Sequence, residues 1–160
     1  MSQQEKVEND NDPILQWVTY YLEDEVYGIN VMQVQEVLRI TEITPVPGAP
    51  HNVLGIINLR GSVVTVIDMR RSFGLSPKEP DEMSRIIIVE VNGNAIGLLV
   101  DSVAEVVYLN QSEIETSPTV KNEDTSRFIL GVANRENSLL ILIDVDKFVD
   151  EDETDEFSSF

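Results

Sequence analysis

Leu54-Gly55-Ile56-Ile57-Asn58-Leu59-Arg60-Gly61-Ser62-Val63-Val64-Thr65-Val66-Ile67-Asp68 is written twice in this chain. It returns 76 residues later as Leu130-Gly131-Val132-Ala133-Asn134-Arg135-Glu136-Asn137-Ser138-Leu139-Leu140-Ile141-Leu142-Ile143-Asp144. A second block, Gly28, Val31, Val34, Glu36 and Val37, recurs 69 residues on as Gly97, Val100, Val103, Glu105 and Val106. Two blocks repeated in the same order indicate an internal duplication. Each long block is a pair of apolar, β-branched runs around a short polar turn, which reads as a hairpin. The copies differ at that turn, so two similar bodies should present different surfaces.

Working outward, Trp17 to Leu22 and Val26 to Ile29 read as another hairpin around a charged turn, Glu23-Asp24-Glu25. Arg85 to Val91 and Ala95 to Val100 form its counterpart, around Asn92-Gly93-Asn94. Asn30 is placed to cap a short helix with Gln33 as its capping-box partner, and Val31, Val34, Val37 and Leu38 fall on one helical face. Asp101 is read in the same way, capping a helical turn that carries Val103, Val106 and Val107. Asp68 caps a helix ending near Phe73-Gly74, and Asp144 to Val149 is a last helical turn. Three prolines between Pro45 and Pro50 exclude regular structure there, and residues 75–84 are a loop. Val63 to Ile67 and Leu139 to Ile143 are apolar on both alternations, the mark of strands buried on both faces. The chain therefore reads as mainly all-β, two small barrel-like halves on a shared apolar seam, with short helices. One folded unit spans residues 14–149, halved at about 83/84 with the ends free to interchange. Residues 1–13 read as a disordered acidic lead-in and 150–160 as a disordered acidic tail.

The net charge is −18, and half of it sits in those two ends. Such a surface repels phosphate backbones and anionic headgroups, which argues against nucleic acid and membrane and for basic protein partners. It also argues against tight self-association. With no cysteine, disulfides, thiolate metal sites and thiol nucleophiles are excluded. No apolar run approaches a membrane span, and the polar N-terminus shows no signal peptide. His51 is the only histidine, in a proline-rich loop, so no zinc set can be completed. Asp144 and Asp146 alternate as metal ligands do, but Asp144 is the repeat of Asp68, which fits helix capping better. The acidic end lacks the glycine and spacing of an EF-hand loop. No catalytic, cofactor or metal site is expected. Arg60, on a tight turn beside Leu59, is either an interface anchor, a solvated arginine or one half of an intramolecular ion pair. The Val31, Val34, Val37 face is either core or contact surface.

Tyr27-Gly28-Ile29, Val34-Gln35-Glu36-Val37, Gly55-Ile56-Ile57-Asn58-Leu59-Arg60-Gly61 and Val66-Ile67-Asp68-Met69-Arg70, followed by Gly97-Leu98-Leu99-Val100-Asp101 and Leu130-Gly131, resemble the CheW family of bacterial chemotaxis coupling proteins. The resemblance covers about residues 15–149. It implies two five-stranded SH3-like β-barrels on a common core. It also implies a non-catalytic, cytoplasmic adaptor between the tips of transmembrane chemoreceptors and the regulatory domain of the histidine kinase CheA, within membrane-associated receptor arrays. By the same resemblance Val31, Val34, Glu36, Val37, Arg60, Val100 and Val103 are receptor-side candidates, while Gly28, Gly55, Asn58, Gly61, Gly97 and Gly131 read as turn or structural residues. Thr65 and Met69 depart from the family's usual proline and leucine. The end from Asp150 to Phe160 is outside its pattern. The same module in another signalling array and a small-molecule-binding barrel sensor are the alternatives; a ligand-dependent melting shift would mark the latter.

Overall fold

The computed structural model describes residues 11–116 and 128–148. The expectations for residues 1–10 of the lead-in and for the acidic tail lie outside that range. Asp12 and Pro13 belong to the fold: Asp12 accepts from the Ser112 amide (2.7 Å) and hydroxyl (2.8 Å), and the Pro13 carbonyl accepts from Gln111 N.

Ten strands are present among the described residues: β1 (Ile14–Leu22), β2 (Glu25–Asn30), β3 (Val34–Arg39), β4 (Val53–Leu59), β5 (Ser62–Asp68), β6 (Arg85–Val91), β7 (Asn94–Val100), β8 (Ser102–Asn110), β9 (Ile129–Arg135) and β10 (Ser138–Ile143). They form two five-stranded sheets, β8-β1-β2-β10-β9 and β3-β6-β7-β5-β4. The orders correspond copy to copy, with β1-β2 matching β6-β7 and β3-β4-β5 matching β8-β9-β10. Each sheet thus takes the hairpin of one copy and the three following strands of the other. The join is made by parallel pairs, β10 with β2 and β5 with β7. The line at 83/84 does not separate the two bodies, because the copies exchange ends. Neither barrel is closed by hydrogen bonds; the sheets keep edges at β8, β9, β3 and β4.

Strand alternation sorts the apolar side chains into three cores. In β6, Ile86 and Ile88 fill the inside of one body with Ile57, Val64 and Val66. Ile87, Val89 and Val91 point the other way, into the seam, where they meet Tyr20, Leu22, Tyr27, Ile29, Ile67, Met69 and Ile143. Trp17, Leu109, Leu140 and Leu142 fill the second body. The doubly apolar runs are therefore buried on both faces in their middle only. Val63 (69 % exposed) and Leu139 (45 %), at equivalent places by the two hairpin tips, face outward. Met69 is fully buried in the seam and Thr65 is half-buried.

Two helices expected from valine spacing are strands. The cap at Asn30 exists, its Oδ1 accepting from Met32 N at 2.9 Å, but it opens only a 3-10 turn, Val31–Gln33. From Val34 the chain is β3, and the segment expected as an Asp101-capped turn is β8. Both strands carry a β-bulge at the same place in the repeat, between Val34 and Glu36 and between Val103 and Val106. A bulge inserts one residue and turns a spacing of two into three, which imitates helical periodicity. At the β8 bulge the Thr19 hydroxyl donates to Glu105 O (2.6 Å) and accepts from Glu105 N (2.9 Å). The other caps hold. Asp68 Oδ1 accepts from Arg70 N at the one-turn helix Met69–Ser72, and Asp144 Oδ1 from Asp146 N at Val145–Phe148.

Tyr20 stacks on Tyr27 in the seam (centroids 5.6 Å apart), and among the described residues its fully buried hydroxyl has no hydrogen-bond partner. A buried hydroxyl left unmatched costs about 1–3 kcal/mol. Tyr20→Phe should therefore leave stability unchanged or raise it by about 1 kcal/mol, read as a higher urea midpoint at constant m-value. A clear fall in the midpoint would show that the hydroxyl is satisfied in solution.

Candidate functional site

Arg60 and Gly61 form the two-residue turn between β4 and β5. Both have positive φ (52° and 90°), and Asn58 Oδ1 accepts from Gly61 N at 2.8 Å. This twist projects Arg60 outward, its side chain 70 % exposed. The curl of the sheet brings the tip beside edge strand β3, where Arg60 forms an ion pair with Glu36. The intramolecular pair is formed, and the Arg60 side chain stays largely exposed beside it. The Glu36 hydrogen bond, reinforced by its charge, raises the Arg60 pKa. Val37, next on β3, is 40 % exposed.

The other body keeps the turn's backbone but carries a carboxylate where the first has its cation. Glu105 stands at the repeat of Glu36, and Glu136 at the repeat of Arg60. With Arg135 they line a shallow depression of about 120 Å³ between β8 and the β9–β10 turn. Glu136 and Asn137 both have positive φ, so the turn geometry is retained while the cation is not.

The remaining candidates divide. Val34 and Val103, equivalent in the repeat, pack on the rim of the seam, and Val31 is half-buried in the 3-10 turn. Val100 is 1 % exposed inside the seam, so it has no surface to offer a partner, and its place among direct contacts is withdrawn. Gly28 and Gly97 are not turn residues either. They lie inside β2 and β7, where a Cβ on Gly97 would stand 2.9 Å from Ile86 Cγ2, and one on Gly28 3.0 Å from Leu142 Cδ2. Gly55 and Gly131 admit a crossing backbone: Thr44 bridges to Ile56 over the first, and Glu115 to Val132 over the second.

The sequence reading missed a buried ion pair. Arg70, its side chain 10 % exposed, donates from Nε and Nη2 to Asp101 (2.8 and 2.7 Å) and from Nη1 to Ser76 O (2.7 Å) and Glu23 (3.3 Å). Asp101 also accepts from Glu23 N at 2.8 Å. The cluster ties the β1–β2 turn of one sheet to the β7–β8 corner and the β5 helix of the other. Burial pushes the Asp101 carboxyl up. The hydrogen bonds from Arg70 and the Glu23 amide, with the charges of Arg70 and Lys78, outweigh that and hold it below its ordinary value. The duplication carried the signal. Position 70 repeats as Asp146, and position 101 corresponds to Met32, so this pair is a charge feature that only one copy has. At the matching place Gln33 Nε2 meets Asp146 Oδ1 at 3.3 Å and Met32 is 87 % exposed.

Among the described residues no group of three or more His, Cys, Asp or Glu side chains is placed to hold a metal, and no helix is long and apolar enough to cross a membrane. A family model for the CheW-like domain matches residues 16–153. The chemotaxis protein CheW of Treponema pallidum is 32 % identical over 141 residues, covering 86 % of this chain and 83 % of the relative. That of Bacillus subtilis is 33 % identical over 135 residues, covering 84 % and 86 %. The crystal structure of the scaffolding protein TtCheW from Thermoanaerobacter tengcongensis superposes with a TM-score of 0.76 at 38 % identity, covering 81 % of this chain and 88 % of that one. Matched over nearly all of its described residues by the family model and by relatives above 30 % identity, the chain belongs to the CheW-like domain family.

Proposed function

We propose that this chain is a non-catalytic chemotaxis adaptor, coupling transmembrane chemoreceptors to the histidine kinase CheA in the cytoplasm at receptor arrays. The observation that carries the reading is the Glu36–Arg60 pair beside exposed Val37, present on one body and replaced on the other by two carboxylates, Glu105 and Glu136. An adaptor needs two different docking surfaces on one rigid frame, and a duplicated fold with divergent tips supplies them. The relatives named above, chemotaxis proteins and a scaffolding protein, support the same function. Val34, Glu36, Val37 and Arg60 then serve the receptor, with Val31 and Val103 on the seam rim. The exposed apolar Val63 and Leu139 suit contact with the kinase's regulatory domain. Transmission requires unequal affinity for receptor signalling states, since a linker indifferent to state localises the kinase without controlling it.

Arg60→Glu places a second carboxylate against Glu36 and removes the cation from the tip. Affinity for a receptor cytoplasmic fragment should fall by about tenfold or more, measured by titration calorimetry. The charge swap Glu36→Arg with Arg60→Glu restores the internal pair. If it restores binding as well, Arg60 acts only by holding its own turn and is no anchor.

A further inference from the structure

Arg39 and Arg85 stand directly opposite each other where β3 pairs with β6. Opposed residues of an antiparallel pair share a face, and like charges there repel. Among the described residues Arg60, Arg70, Arg71 and Lys78 make ion pairs and Arg39, Arg85, Arg135 and Lys147 do not; of these four only Arg39 and Arg85 are set directly against each other. Arg85 Nη1 is held by the carbonyls of Glu82 and Ser84, both at 2.8 Å, which fixes its guanidinium and leaves its charge unmatched. Two cations kept adjacent and unpaired in a chain of 29 acidic and 11 basic residues call for an anionic occupant.

The same face leads to the point where the described chain stops. Val37 opposite Ile87 is the next pair along it; Ile87 is in the seam and Val37 is exposed. The one-turn helix Val145–Phe148 packs against β6, places Val145 in the seam, and bonds through Asp146 to Gln33, just before β3 begins. From the Val34–Val89 pair to the Arg39–Arg85 pair the strands advance about 14–17 Å. Residues Asp150 to Glu156 lie two to eight residues beyond Phe148, a reach of about 7–28 Å. Six of those seven residues are acidic.

We propose that the acidic run Asp150–Glu156 docks on this chain's own Arg39–Arg85 pair, crossing Val37 and covering the β3 face. The docking stands on charge and reach alone. Its consequence, that the run competes with a partner for β3, rests on the adaptor reading.

The chain has no cysteine, so Thr154→Cys in the full chain gives one site for a nitroxide label. At low salt the label should reduce the amide signals of Val37, Arg39 and Arg85 by about twofold or more relative to its reduced form. The signals should recover at about 0.5 M salt, where the screening length is only a few ångström, and in Arg39→Gln/Arg85→Gln. Absence of broadening at low salt, or equal broadening at high salt or without the arginines, overturns the docking. The salt arm needs no change to either arginine, so it stands even if the variant folds poorly.

A full-length chain with the six acids replaced by Asn and Gln then tests the consequence. If the docked form holds about four-fifths of the molecules, neutralising the run should tighten binding of a receptor cytoplasmic fragment by about fivefold. Broadening with unchanged affinity overturns the competition. Binding by neither chain counts against the adaptor reading and leaves the label result intact.

Discussion

Arg70→Ala should cost this protein about 3–5 kcal/mol of folding stability, the usual penalty for leaving one half of a buried ion pair alone. Three of the guanidinium's hydrogen bonds, to Asp101 and Ser76, are 2.7–2.8 Å long, and Glu23, bonded to both Arg70 and Asp101, brings in the β1–β2 turn of the other sheet. Without Arg70, the Asp101 carboxylate, 17 % exposed, retains only the Glu23 amide close by. A loss of that size is a large part of a small domain's total stability. Urea unfolding followed by the fluorescence of Trp17 would read it, and a double-mutant cycle with Asp101→Asn would isolate the coupling. Arg70→Met with Asp101→Leu should recover much of the loss, because well-packed apolar pairs often replace buried ion pairs without penalty. The pH dependence has a definite sign. The folded Asp101 pKa is lowered, so its contribution is complete above the unfolded carboxyl value of about 3.9. It is lost as pH falls through the lower folded value. In Arg70→Ala, burial acts with less opposition and raises the carboxyl, so protonation now favours the fold. The gap between the two proteins should therefore narrow on acidification, beginning at the variant's raised carboxyl value and continuing through the lowered value of the intact protein. A constant gap down to pH 2 would mean that Asp101 is not the group Arg70 serves.

Gly55→Ala should cost about 2–4 kcal/mol, combining a strained backbone with a clash against main chain. A Cβ at Gly55 would fall on the Thr44 carbonyl, which is held in place by reciprocal hydrogen bonds with Ile56 (2.8 and 2.9 Å). Backbone locked by two bonds cannot yield as the end of a flexible side chain can. Gly131→Ala meets the same kind of clash, its Cβ 2.6 Å from Glu115 O at the equivalent bridge, but without a positive φ it should cost less than Gly55→Ala. Gly61→Ala is the control. Its φ is +90°, but a Cβ there meets nothing within 4 Å, so only about 1–2 kcal/mol of conformational strain is expected. Equal losses at Gly55 and Gly61 would show that positive φ alone matters and that the Thr44 crossing does not.

The hairpins were legible because their signal is local: alternating apolar runs around turns that demand positive φ, such as Asn92-Gly93 and Arg60-Gly61. The duplication was legible from offset alone. That the ends are free to interchange was legible too; which strands exchange was not, because nothing in Val34–Arg39 or Ser102–Asn110 says which sheet will receive it. The bulges hid those two strands further by giving valines a spacing of three. The exposure of Arg60 was legible because a tight turn puts its tip residue outside whatever the topology. Val100 failed for the complementary reason: its repeat partner Val31 is half-buried in the 3-10 turn, while Val100 ends a central strand inside the seam. Arg70 has no physical role legible in the sequence and Asp101 reads only as a helix cap, since their contact, 31 residues apart, extends the parallel β5–β7 register, a pairing that sequence does not announce.

The most direct test of the adaptor function is reconstitution of the full chain with a chemoreceptor cytoplasmic fragment and CheA from the same organism, following the rate of kinase autophosphorylation. The account predicts receptor-dependent activation that requires this chain and is weakened by Arg60→Glu. Activation of equal size without the chain, or no binding of either partner, would contradict it.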